Sequence, residues 1–544
     1  MLIRFTRMAA LVVAAAMFAA CAPAHQAPEV ATAHTDDFGT PVGTRPVRQG
    51  GDLVMGLSND PDRLDPSTSS SLYMRYVMTA VCEKLYDVDL AGRIVPQLAT
   101  ALPDISSDGL TVTIPVRTGI KFADGTAFDA QAVQTSLERH LTMKGSQRTG
   151  EMGPVDGVEL VDATHVAIKY RQPFAPITAA LADRAGMIMS PAALKEKGDN
   201  FGDRPVCVGP FKFVDRVPGV SITVARDPLY YNAQNVHLDT ITYKIMTDAS
   251  ARAASLRSGE IQVADTMSPQ DIDALAKDPQ LHVLQTGSLG YQGLTINIGN
   301  VDGVGKPTKQ IETPLAKDPR VRMALSLSID RNKLVHTAWK DWYESACSPI
   351  SPSSPFATRT STACPVFDPE AAKKLLTEAG VQMPYPIAMH VMNIPDQLNY
   401  ARALQASAAQ GGFDIRLIPT DYPTLLDMQK RGNYETLFLG WSGRIDPDAN
   451  TSRMLTTGST GNYGGFSNAT LDELLSAAAS STNTAQRAAL YEQAMQVIHR
   501  ENPYLYTYRI RSLTVHSTKV TGIEVYADGA VRLGNAAYVT DWKG

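Results

Sequence analysis

Cysteine is nearly missing from this 544-residue chain, which holds five, and tryptophan is scarcer still at four. An excess of either charge is missing too. The 50 Lys plus Arg stand against 55 Asp plus Glu, which excludes the dense basic field that nucleic-acid binding needs. Beyond residue 20 no uninterrupted apolar run approaches the roughly eighteen residues of a membrane-spanning helix. Catalytic signatures are absent as well. No H-E-x-x-H or histidine pair at helical spacing suggests zinc, and there is no C-x-x-C. Gly305-Lys306 is followed by Pro307 where a phosphate loop needs Ser or Thr, and Asn300 replaces its leading glycine. Gly440-Trp441-Ser442-Gly443 begins a nucleophile elbow that Arg444 breaks. No serine precedes a lysine by three positions. These absences leave a binding protein, with no cofactor implied.

The N-terminus carries the first positive signal. Arg4 and Arg7 precede an apolar run from Met8 to Ala20, too short to span a bilayer but suited to a cleaved export signal. Phe18-Ala19-Ala20-Cys21 has the form of a lipobox, so Cys21 is expected to carry a lipid and hold the chain outside the cytoplasm as a lipoprotein, periplasmic or at the cell surface. The alternative is an ordinary signal peptide followed by a chance cysteine. Cleavage removes two arginines and no acid, taking the formal charge from −5 to −7. Residues 21–49, rich in Ala, Pro, Thr and Gly, read as a flexible tether.

Four cysteines remain, an even number in an oxidising compartment, which favours disulfides. Cys347 and Cys364 would close a loop of about 17 residues, stabilising by roughly 3 kcal/mol in the chain-entropy account. Cys82 and Cys207 are either a second bridge or two buried thiols.

After the tether, strand and helix signals alternate without a repeat, which predicts an α/β protein. Residues 110–116, 220–224 and 241–245 alternate or are β-branched, as strands do. Asp368-Pro369 opens a helix with a cap and a first-turn proline, and Gly380 stops it. A second helix covers about 484–499. Tyr504, Tyr506 and Tyr508 alternate and are expected on one face of a strand.

Several blocks in order carry a resemblance. GGDLVMGLSNDPDRLDP (50–66) is followed by VPQLATALPDISSDGLTVTIPVRTGIKFADGTAFDAQAV (95–133) and VGPFKFVDRVPGVSITVARDPLYY (208–231). DPRVRMALSLSIDRNKLV (318–335) and FDPEAAKKLLTEAG (367–380) complete the set. Together they resemble the family 5 extracellular solute-binding proteins of ABC transporters. That resemblance implies a two-lobed periplasmic-binding-protein fold of type II, hinged between the lobes, with a subdomain inserted in the first. Lobe I would comprise 50–79, 204–285 and 505–544, the inserted subdomain 80–203, and lobe II 286–504. It further implies a monomeric receptor that captures a short peptide or peptide-like ligand and delivers it to membrane permease subunits driven by separate ATPase subunits. A nickel- or metallophore-binding role on the same fold, and an exported hydrolase, are the alternatives.

The same resemblance places Trp441-Ser442-Gly443-Arg444-Ile445-Asp446-Pro447-Asp448 along the cleft. Peptide-binding members usually have aspartate where this chain has Arg444, which puts simple recognition of a ligand ammonium in doubt. Asp446 or Asp448 could take that ammonium over, Arg444 could grip a ligand carboxylate, or Arg444 could pair internally with Asp446 as a strut. Trp441 and Ser442, with Tyr73, Asn297, Asn462 and Tyr463, complete the expected ligand-binding set, and no metal ligand is expected.

Overall fold

The runs at 220–224 and 241–245 become neighbouring strands of one large sheet, and that at 110–116 a strand of a smaller one, in the computed structural model, which describes residues 34–541. The first sheet runs Leu281–Gly287, Arg511–Ser517, Val263–Ala264, Asp52–Leu57, Thr240–Ile245, Ser221–Arg226, Phe211–Val217. Its central strand, Asp52–Leu57, is paired in parallel on both sides, and Leu53, Met55 and Leu57 are fully buried, as a strand covered on a sheet face requires. The second sheet runs Glu344–Ser345, Tyr504–Arg509, Gln292–Ile296, Thr436–Phe438, Tyr385–Met392, Phe413–Thr420. A third, antiparallel sheet of four strands lies within residues 104–170 and packs against the helix Ala130–Thr142. The fold is therefore two α/β lobes with an inserted subdomain.

The chain passes between the two large sheets at residues 288–291 and again at Ile510. The second crossing moves an expected boundary. Tyr504–Arg509 pairs with Gln292–Ile296 and belongs to the second sheet, so lobe I resumes at Arg511 rather than at residue 505. The tether is also shorter than composition suggested. Asp37 bridges to Gln285 of the first sheet, and Gly39 to Glu524 and Val47 to Val539 of the C-terminal segment, so residues 37–47 are held against the first lobe. Backbone pairing of this kind asks for no apolar pattern, which is why composition could not show it. Cys21 and the export segment lie outside the described residues.

The expected helix over 369–378 begins as read: Asp368 accepts from Ala371 N at 2.9 Å and Pro369 occupies the first turn. Cys82 joins Cys207, and Cys347 joins Cys364, with Cα atoms 5.0 and 5.1 Å apart. The lobes meet across a shared apolar core. Leu57, Tyr73 and Tyr76 of the first lobe pack in one cluster with Leu425, Leu426 and Leu439 of the second. Leu425 is fully buried there, and each such side chain contributes about 1.5–3 kcal/mol.

Candidate functional site

A cavity lies between the lobes, with about 1030 Å³ of space free of protein atoms, part of it open to solvent. Two helix starts face each other across it. Ser71 accepts from Tyr73 N at 3.1 Å and Met74 N at 3.4 Å, which begins the helix Leu72–Val81 and sets Leu72 and Tyr73 of its first turn on the cavity wall. In the second lobe Asp421 caps the helix Tyr422–Arg431 in the same way. The Tyr73 and Tyr422 rings consequently meet edge to face, centroids 5.1 Å apart. The Tyr73 hydroxyl accepts from Asn59 Nδ2 at 2.9 Å, and burial pushes its pKa up to about 12, so it stays a neutral phenol.

The opposite wall is the Trp441 loop. Tyr291 and Trp441 exchange backbone hydrogen bonds of 2.9 and 2.8 Å. Gly440 makes that approach possible, since a Cβ there would lie 2.1 Å from the Tyr291 carbonyl oxygen. Asn450 fixes the loop from behind: its Oδ1 accepts from Trp441 Nε1 at 2.9 Å and Arg444 N at 2.8 Å, and its Nδ2 donates to Arg444 O at 2.8 Å. Trp441 lines the cavity while two guanidinium groups lie on its ring, Arg444 at 4.3 Å and Arg453 at 4.7 Å.

None of the side chains lining this cavity carries a formal charge. Arg444 turns away from it: its Nε pairs with Asp183 of the inserted subdomain at 2.5 Å, and its Nη1 donates to Ser442 Oγ at 3.1 Å and Gly443 O. It pairs internally, but with Asp183 and not with Asp446. Asp446 instead accepts both forks of Arg487, at 2.8 and 2.7 Å. Asp448 accepts from Ser452 Oγ at 2.5 Å, and burial together with the Asp446 charge raises its pKa to about 7. Asp446, Asp448 and Arg444 border a separate, smaller cavity against Asp183 and Glu151. The physical reason is general: a buried charge needs a fixed opposite charge, which Arg444 finds in Asp183 and Asp446 in Arg487, whereas Asp448 lacks one and its ionisation is penalised.

Of the other expected residues, Tyr73, Trp441, Ser442, Asn462 and Tyr463 line the main cavity and Asn297 does not. Asn297 Nδ2 donates to the carbonyls of Asn300, Gly432 and Tyr434, which fastens the loop at 297–300 to that at 432–434. Asn462 does similar work with its amide, bonding Thr456 O and Phe466 O. The sequence reading missed Tyr291, Gln292, Tyr422 and Gln429, for which no local pattern exists. It grouped three tyrosines too simply. Tyr504 and Tyr506 line the cavity, but a bulge between Gln292 and Gly293 shifts the register, and Tyr508 packs into the core against Tyr343 and Tyr400. One extra residue reverses the facing of everything after it.

Two lobes hinged by two crossings, closing on a cavity with walls from both, define a solute-binding receptor. The model of the bacterial extracellular solute-binding proteins, family 5 (middle region), matches residues 93–464, and the chain belongs to that family. Its members are solute-binding proteins of ABC importers, not enzymes, which removes the hydrolase alternative. Among curated proteins the chain is 28% identical over 495 residues to the glutathione-binding protein GsiB of Pectobacterium atrosepticum, covering 89% of this chain and 93% of that one. Among solved structures, the binding protein AgaA from Agrobacterium tumefaciens R10 in complex with agropinic acid has a TM-score of 0.80 at 25% identity, covering 89% of this chain and 96% of that one. DppA from Helicobacter pylori, solved with the peptide STSA, has a TM-score of 0.80 at 22% identity and covers 91% and 99%, a likeness of fold.

Proposed function

We propose that this chain captures a short peptide or peptide-like solute in the inter-lobe cavity and hands it, as a monomer, to the permease subunits of an importer powered by separate ATPase subunits. The observation that carries the reading is the cavity itself. Its walls come from both lobes, and it is aromatic with scattered neutral polar groups, Ser70, Gln292, Thr295 and Gln429 among them. Glutathione, bound by the GsiB relatives, belongs to this peptide-like class. A nickel role would have to act through a chelator bringing its own donors, because no histidine lines the cavity. We also propose that Cys21 carries the lipid that holds the receptor at the membrane. Cys21→Ser should then move the protein from the membrane fraction to the soluble fraction.

Ligand that binds the closed form more tightly than the open one raises thermal stability. A thermal-shift screen with glutathione and a mixed di- to hexapeptide library is therefore expected to give a rise in Tm with at least one of them. No shift with either would overturn the reading.

A further inference from the structure

Behind the uncharged lining stands a layer of charge that does not balance. Five arginines occupy it: Arg75, Arg148, Arg184, Arg444 and Arg453. Three carboxylates answer them, Asp183, Glu151 and Asp528, and Asp528 is also claimed by Arg532 at 3.0 Å. Arg444 Nη2 is buried without a hydrogen-bond partner, and Arg453 reaches from Glu151 to the Tyr463 hydroxyl.

The layer touches the cavity wall at defined points. Arg148 Nη2 donates to Ser69 O at 3.0 Å, and Arg184 Nη1 to Ser69 O and Ser71 O at 3.3 Å each, which brackets the lining residue Ser70. The Ser70 and Tyr463 hydroxyls are buried and belong to lining residues; the Ser70 hydroxyl has no hydrogen-bond partner within the protein, and the Tyr463 hydroxyl accepts from the Arg453 guanidinium, which leaves its own proton to donate. Ser70 also lies at the start of the helix Leu72–Val81, whose N-terminus adds positive potential. The titration behaviour agrees. Burial alone would raise the Tyr463 phenol, yet the charges of Arg453, Lys430 and Arg148 hold it below its ordinary range. Burial, with Arg184 and Arg453 nearby, depresses Arg148 to about 9. The opposite end-group finds no carboxylate on the lining: Asp446, Asp183 and Glu151 are each committed to arginine, and Asp62, which accepts from Ser70 N at 3.4 Å, is paired with Lys430 at 3.5 Å.

Resting on the proposed function, we infer that this receptor selects ligands by a carboxylate, seated at the Ser70 and Tyr463 hydroxyls in the field of the buried arginines, and makes no demand for a free α-ammonium. The favoured class is an acidic or N-blocked peptide-like solute. A neutral hydroxyl donor backed by an excess of guanidinium groups receives an anion well, and no paired carboxylate need be displaced.

The test uses the full mature protein and one di- to hexapeptide library built without Asp or Glu, in three forms: free ends, N-acetylated and C-amidated. The N-acetylated library should raise Tm at least as far as the free one, while the C-amidated library should give a clearly smaller shift. For a single sequence taken from the responding pool, calorimetry should show the amide binding about ten- to a hundredfold more weakly than the acid, the loss expected for a hydrogen bond to a charged group. In Tyr463→Phe, which keeps the ring and its packing, that acid-to-amide ratio should shrink by about tenfold. A purely structural role would weaken acid and amide alike and leave the ratio where it was. Equal shifts from amidated and free libraries, a shift abolished by acetylation, or an unchanged ratio in Tyr463→Phe each overturn the inference while leaving the receptor function intact. Silence from all three forms overturns the receptor reading beneath it.

Discussion

Asp183→Ala should be the most damaging single substitution in the charged layer. Asp183 is 5% exposed and belongs to the inserted subdomain. It takes Arg75 Nε from the first lobe at 2.8 Å and Arg444 Nε from the second at 2.5 Å, with Arg184 Nε at 3.7 Å. One carboxylate thus ties three parts of the chain. Removing it leaves at least two guanidinium groups buried with less than their counter-charge, which costs about 3–5 kcal/mol for a buried pair. That is a large share of the roughly 5–15 kcal/mol that holds a typical domain folded. Urea denaturation followed by tryptophan fluorescence should show it as an earlier midpoint, and Trp441, lying under Arg444, reports the region directly. Burial opposes ionisation of Asp183, but Arg444, Arg75 and Arg184 outweigh it and hold its pKa well below 3.8. A depressed carboxylate stabilises fully above its unfolded pKa and loses that contribution only as pH falls through the folded value. The difference between wild type and Asp183→Ala should therefore be constant from neutral pH down to about pH 4. The exposed Arg93–Asp89 pair is the control, and its loss should leave the midpoint in place because water screens it. A loss below about 1 kcal/mol for Asp183→Ala would refute the reading of Arg444 as a buried, internally paired charge.

Asp448 works in the opposite direction. Its folded pKa, raised from 3.8 to about 7, means that ionisation is penalised in the native state, so stability falls as pH rises from about 4 to 7 and levels above that. Asp448→Asn should flatten this slope, removing at most about 4 kcal/mol of pH dependence, and parallel pH profiles of urea midpoints for variant and wild type would contradict it. The Cys347–Cys364 bridge closes a 17-residue loop, so Cys347→Ser with Cys364→Ser should cost about 3 kcal/mol in the same assay, and an unchanged midpoint would show the loop already ordered without it.

The elements that the sequence reveals are those whose cause is local. Asp368-Pro369 starts a helix because cap and proline act within one turn, and residues 241–245 form a strand because their own β-branched side chains fit a buried sheet. What escapes is long-range pairing. Nothing within Tyr504–Arg509 says that it joins Gln292–Ile296, and nothing there announces the bulge that sends Tyr508 away from Tyr506. The site divides in the same manner. Trp441 is legible as a loop landmark, and Arg444 as a departure from the usual acidic residue. Which carboxylate Arg444 meets depends on how the inserted subdomain docks, and that is fixed by packing of all three parts together.

The placement of charge one residue behind the cavity wall has a physical logic of its own. A charge on the lining would have to lose its water whenever the lobes closed, and in the absence of a matching ligand group that costs several kcal/mol. Arg148 avoids this because Glu151 of its own subdomain stays beside it, and Arg444 and Arg453 of the second lobe meet Asp183 and Glu151 across the lobe boundary once the lobes are together. Their surplus field still reaches the cavity, through hydroxyls that are cheap to desolvate by comparison. Closure then depends less on ligand charge for its stability, while ligand choice depends on it strongly. A ligand shifts the open–closed balance only by its differential affinity for the two states, and a carboxylate reaching Tyr463 supplies that difference where an ammonium does not.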